Sequence, residues 1–181
     1  MYKFNDFSKI YESNRFKEYE KILFKNFVDF IKDKWDIDKD VKVTLKKSNN
    51  RGLYGSVTLS EASVKRTNFI LYLNSDSTYL NIFKSLLHEL THVKQISEGR
   101  LRASKDWKYV LFNDDYKISV KDYKKILKKG FSEDYKNLPW EEEAYLNMDK
   151  EYLIKEYLNS DYVNKIRKEN PTIDFIVDNV F

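Results

Sequence analysis

The stretch SLLHELTHVKQ, Ser85 to Gln95, contains both histidines of this 181-residue chain, with Glu89 directly after the first. His88 and His92 are four residues apart. In a helix that spacing sets two side chains on one face, with Cβ atoms about 5–6 Å apart, so both imidazoles can reach one ion. Glu89 then projects beside the pair, where its carboxylate can act on a water at the ion without being a ligand. This is the H-E-x-x-H arrangement of zinc peptidases. In that chemistry zinc draws the pKa of water toward 7, and the glutamate takes the proton as water attacks a polarised carbonyl.

Chance is a poor source for the pattern. Shuffling a chain with 2 His and 13 Glu yields it in roughly one case in a thousand, a false-positive rate to weigh against any motif. A purely structural origin has its own cost, because two histidines and an acid within an apolar helix would each need a buried partner. A metal supplies the partner economically.

A catalytic zinc site takes three protein ligands and leaves a position open. The chain has no third His and no Cys, so within one chain the third ligand must be Asp or Glu. Downstream candidates are Glu98, Glu133, Asp134, Glu141, Glu142 and Glu143. Glu98 lies ten residues along the same helix, about 15 Å away, which is too far. The best source is PWEEEAY, where Pro139 suits a first helical turn, the helix dipole favours acids, and Ala144 permits close approach of a second helix. Glu143 shares a face with Trp140 and Asn147, Glu141 shares one with Ala144 and Met148, and Glu142 lies between. Periodicity leaves the choice among them open.

The surrounding pattern supplies elements to hold these residues. Ser13 to Trp35 has apolar residues at three- and four-residue steps and predicts a long amphipathic helix. DVKVTLKK alternates as a half-buried strand. GSVTLSEA and TNFILYLN read as two more, the last apolar enough to be central, and an antiparallel meander is the simplest connection. Thr78 to Gly99 predicts the helix of the histidines, with SDST as a source of caps and Gly99 as its stop. WKYVLFNDDYKIS reads as a hairpin around Asn113, Asp114 and Asp115, SVKDYKKILKK as a short helix ending near Gly130, and Trp140 to Leu158 as one long helix. The closing YVNKIRKENPTIDFIVDNVF shows no readable role. Length and the absence of linker or repeat predict one α+β domain over 1–181.

With HELTHVKQ at 88–95 and LPWEEEAY at 138–145, the chain resembles the zincin metallopeptidases of the glutamate-ligand type, and in particular small zincin-like peptidases encoded by phages and prophages. The resemblance covers roughly residues 67–150. It implies a minimal zincin fold: a small, mostly antiparallel sheet packed on an N-terminal helix and the H-E-x-x-H helix, with a C-terminal helix giving the third ligand. It implies that His88 and His92 bind one Zn2+, that Glu89 is the general base, and that the acid next to Ala144, Glu143, is the third ligand, with Glu141 in reserve. Tyr145, and after it Tyr135, are candidates for stabilising an oxyanion. The implied partner is a peptide or protein substrate, held along a sheet edge for which GSVTLSEA is the candidate.

Composition narrows the alternatives. The chain is mildly basic, with formal net charge +4 from well-mixed residues; the blocks LKKSNNR and KDYKKILKKG could touch phosphate, but without a Gly-rich loop, RNP-like pattern or basic stripe a solvated Lys-rich surface is the expectation and nucleic acid is not the expected partner. DNA-associated zincin-like proteases are similar around the first motif, but their third histidine and cysteine-bearing zinc module are missing here. No apolar run approaches a membrane span and the start lacks a signal peptide's apolar centre, so the expected location is cytoplasmic, or the host cytoplasm or virion for a phage-encoded chain. The competing reading is a non-catalytic zincin-fold structural or interaction protein, a virion component or host-takeover factor. Glu89 counts against it, since a structural two-histidine site has no use for a base there.

Overall fold

The computed structural model describes residues 17–48, 55–59, 67–74, 77–130 and 132–181. The start of the first expected helix, 13–16, and the end of the second expected strand, 60–62, lie outside the described residues. Within them runs α1, Glu18–Lys34. Glu20 reaches back to the Lys17 backbone N–H at 2.8 Å and satisfies one of the donors a helix start leaves unpaired. Leu23, Phe24, Phe27, Val28 and Ile31 form its buried stripe.

Three strands follow: β1, Lys42–Ser48; β2, Gly55–Leu59; and β3, Asn68–Asn74. They do not form the expected meander. The order is β1-β3-β2, with β1 parallel to β3 and β2 antiparallel to it. The physical reason lies in β3, whose Phe69, Leu71 and Leu73 are buried. Its nearly continuous apolar run takes the centre, where both backbone edges are paired, while β1, with Lys42, Thr44 and Lys46 exposed, goes to an edge. β2 takes the other edge, beside the helix of the histidines.

That helix is α2, Tyr79–Ser97. Thr78 caps it by accepting from the Asn81 N–H at 3.3 Å, and Gly99 leaves it at φ +74, a conformation glycine adopts without strain. α2 packs on the sheet and α1 on one side and on α5 on the other, so Ser85, Glu89, Thr91, His92 and Gln95 are buried although polar. Ser85 and Thr91 satisfy themselves by donating to the carbonyls of Asn81 and Leu87 one turn back, at 2.7 and 2.9 Å.

A second, antiparallel sheet orders β4, Leu101–Ala103; β5, Tyr109–Phe112; and β6, Tyr116–Ser119 as β4-β5-β6. Asn113 and Asp114, at φ 50 and 68, make the turn between β5 and β6, a backbone region these residue types tolerate. The expected short helix is α3, Val120–Lys128, followed by α4, Glu133–Lys136. Beneath this sheet Phe112, Leu138 and Trp140 form a small core of their own, with the Tyr116 and Tyr123 rings edge-on to Trp140 at 5.8 and 5.7 Å.

The single helix expected from Trp140 to Leu158 is two: α5, Pro139–Met148, and α6, Glu151–Leu158. The chain leaves helical geometry at Lys150 (ψ 59), and the Glu151 N–H turns back to the Asp149 carbonyl at 2.8 Å. The break lets α5 pack on α2 and α6 on α1, two directions one straight rod cannot serve. Tyr157 of α6 packs on Phe27 and donates its hydroxyl to the buried Leu23 carbonyl at 2.7 Å. The unread C-terminal segment forms α7, Asp161–Glu169, and α8, Thr172–Asp178, whose Val163, Ile166, Ile173 and Ile176 complete the main core. The architecture is α+β, and among the described residues three of four strand pairings are antiparallel. Among the described residues, no helix is long and apolar enough to cross a membrane.

Candidate metal centre

His88 and His92 sit on the face of α2 that meets α5, with ring centroids 4.8 Å apart. Their Nε2 atoms are 3.2 Å from each other, and Glu141 Oε2 of α5 lies 3.3 Å from the first and 3.5 Å from the second. Three ligand-type atoms thus form a nearly equilateral triangle. An ion with tetrahedral bonds of about 2.0–2.2 Å would set its ligand atoms about 3.3–3.6 Å apart. The observed sides, 3.2, 3.3 and 3.5 Å, lie within or just below that span, and His88, His92 and Glu141 are positioned to hold a metal ion.

Hydrogen bonding alone does not account for the triangle. His92 Nδ1 has its own partner, Gln95 Oε1, at 2.9 Å. Glu141 Oε2 is fully buried and, among the described residues, makes no hydrogen bond of good geometry; His88 Nδ1 is likewise without a partner. Orphaned buried polar atoms are rare because they are costly. A cation between the histidines and the carboxylate would remove the cost at Glu141.

Glu143, the acid implied as third ligand, is not in the triangle. Its carboxylate takes a two-pronged bond from Arg100 at 2.8 and 2.9 Å, just beyond the end of α2. The correction follows from helix geometry. Ala144, fully buried, marks the middle of the packed face of α5. At 3.6 residues per turn the neighbour before it is rotated by about 100°, but the residue three before it by only about 60°. Glu141 is therefore turned into the interface and buried, Glu143 is turned toward its rim, and Glu142 is exposed. Asn147 fastens the same face by donating to Thr91 Oγ1 at 3.1 Å.

The electrostatics of the cluster favour positive charge inside it. Burial pushes Glu141 up, but the imidazoles of His88 and His92 and the Tyr135 hydroxyl outweigh it and hold the carboxyl at about 2. Burial pushes His92 down, yet the proximity and charge of Glu141, with the charge of Glu89, raise it from 6.5 to about 9. Both shifts make stability depend on pH in the metal-stripped protein. The depressed Glu141 contributes above its ordinary 4.5 and loses that contribution as pH falls toward 2; the raised His92 contributes fully below 6.5 and loses it as pH rises through 9. Melts in chelator are therefore expected to show Tm falling from pH 6.5 to 9, and metal-loaded protein is expected to lack that decline. A stripped protein whose Tm stays flat over this range would show that the two groups are not coupled as described.

Glu89 is buried at 5% exposure, and its carboxylate makes no hydrogen bond or ion pair among the described residues. Burial raises its pKa, opposed by the charges of His92 and His88. The two tyrosines have different roles. Tyr135 sets its hydroxyl beside Glu141, and burial and that carboxylate raise its pKa. Tyr145 is half-buried on α5, its ring edge-on to His88 at 4.9 Å, and no described residue holds its hydroxyl. Gln95 and Arg100 are contributors that motif reading passes over; the i, i+3 spacing of Gln95 from His92 is the available signal for the first.

Comparison with protein families, curated proteins and solved structures found no match.

Proposed function

We propose that this protein is a zinc-dependent peptidase that hydrolyses peptide bonds within a peptide or protein substrate, with Glu89 as general base. The observation that carries the reading is Glu89 itself, directly after His88 on α2, a carboxylate without a donor among the described residues, in the charge field of two histidines and Glu141. Zinc is the ion best suited to two imidazoles and one carboxylate with a position left for chemistry, and once bound it supplies a Lewis acid that polarises a carbonyl and acidifies water.

The chain's own residues have defined tasks. His88, His92 and Glu141 hold the ion, and Tyr135 fixes the Glu141 carboxylate. Glu89 accepts a proton from the attacking water and passes it to the departing amine as the carbon–nitrogen bond breaks; its raised pKa suits both halves of that task. Tyr145 supplies a hydroxyl donor for the oxyanion from beside His88. β2, an edge strand against α2, offers backbone groups to an extended peptide.

The test is casein degradation by protein as purified, after stripping with chelator, and after return of one equivalent of zinc. Cleavage is expected to disappear on stripping and to return with zinc. Protein that binds one equivalent but cleaves neither casein nor a mixed peptide library would sink the catalytic reading and leave a zinc-stabilised binding protein.

A further inference from the structure

We infer that Gln95 is a positioning residue that joins the two halves of the ligand set, His92 of α2 and Glu141 of α5. The inference rests on the reading of His88, His92 and Glu141 as a zinc site. Gln95 is fully buried, three residues after His92 and so on the same side of α2. Its Oε1 lies 2.9 Å from His92 Nδ1, and its Nε2 donates to the Trp140 carbonyl at 3.0 Å. Trp140 is the residue directly before Glu141.

The direction of these bonds follows from the backbone of α5. A main-chain carbonyl can only accept, so the amide NH2 must face Trp140. The amide oxygen then faces the imidazole, and it too can only accept. His92 must therefore keep a proton on Nδ1, so the nitrogen its neutral ring offers to a metal is Nε2, the one that faces His88 Nε2 and Glu141 Oε2. One side chain thus selects the histidine nitrogen free to bind metal and registers the turn of α5 that presents the carboxylate. A carboxylate at 95 would turn an acceptor against the Trp140 carbonyl, and a methionine would offer neither group. The anchorage is reinforced from both ends, by the aromatic cluster around Trp140 and by the Arg100 fork on Glu143.

The experiment measures zinc affinity by chelator competition for wild type and Gln95→Met, with melts of the stripped forms. It adds the imidazole N–H resonances of zinc-loaded wild type, in which a chain with two histidines has few to assign. Gln95→Met is expected to bind zinc roughly 10–100-fold more weakly, the usual effect of losing an outer partner of a metal-bound histidine. Loaded wild type is expected to show a downfield, hydrogen-bonded Nδ1–H on His92. Folded Gln95→Met that binds zinc as tightly as wild type, even with a lowered Tm, would reduce Gln95 to a packing strut and overturn the inference. If the variant does not fold, the wild-type resonance decides, and its absence overturns the inference equally. Wild type that takes up no zinc at all would remove the site reading on which the inference stands, a result distinct from wild-type binding that the substitution leaves unchanged.

Discussion

Glu89→Gln is expected to retain one equivalent of zinc and to lose peptide hydrolysis by roughly 10²–10⁴-fold, the range for removal of a general base. The substitution keeps the shape of the side chain and removes its ability to take a proton. Glu89 is not one of the three atoms of the triangle, so metal content should be unchanged. Stability should hold or rise, because a buried carboxylate whose pKa burial has raised is replaced by a neutral amide. Elemental analysis, casein degradation and a melt on one sample separate the possibilities. Unchanged cleavage would remove Glu89 from the chemistry, and loss of zinc would make it a ligand.

The second large effect distinguishes two acids that stand two positions apart on α5. Glu141→Gln is expected to weaken zinc binding beyond the roughly 10–100-fold typical of lost outer partners, because it removes a charged ligand atom itself. Glu143→Gln is expected to keep zinc binding near wild type and to cost about 1 kcal/mol of stability or less. It loosens a partly exposed ion pair with Arg100, and such pairs contribute little. Competition titrations on both variants decide the matter. For the order to be reversed, with Glu143→Gln losing the metal, α5 would have to turn about its axis by roughly 160°, the angle between residues two apart on a helix. The Asn147–Thr91 bond could not survive that rotation.

Much of the site is legible in the sequence, and the reason is locality. Two histidines and a glutamate within five residues of one apolar helix have their mutual geometry set by helix pitch alone, so their convergence needs no tertiary information. Composition adds a second determination: without a third histidine or a cysteine, the remaining ligand has to be an acid. The central place of β3 is likewise legible, because an apolar run such as FILYL can be covered only between paired neighbours.

The tertiary structure decides what local periodicity leaves open. β1 pairs parallel to β3, which depends on where an intervening strand is placed and not on the strands' own patterns. The helix begun at Pro139 ends at Met148 because α2 and α1 call for different directions of packing. Glu141 rather than Glu143 faces the histidines because the rotation of α5 about its axis is set by distant contacts: Ala144 in the interface, Trp140 among Phe112, Tyr116 and Tyr123, and Gln95 on the Trp140 carbonyl. Three adjacent glutamates have equal claims on a helix considered alone. Spacing within α2 determines the pair of histidines and the acid beside them; the third corner of the triangle is determined by packing between helices whose contact residues, Gln95 and Trp140, lie forty-five positions apart in the chain.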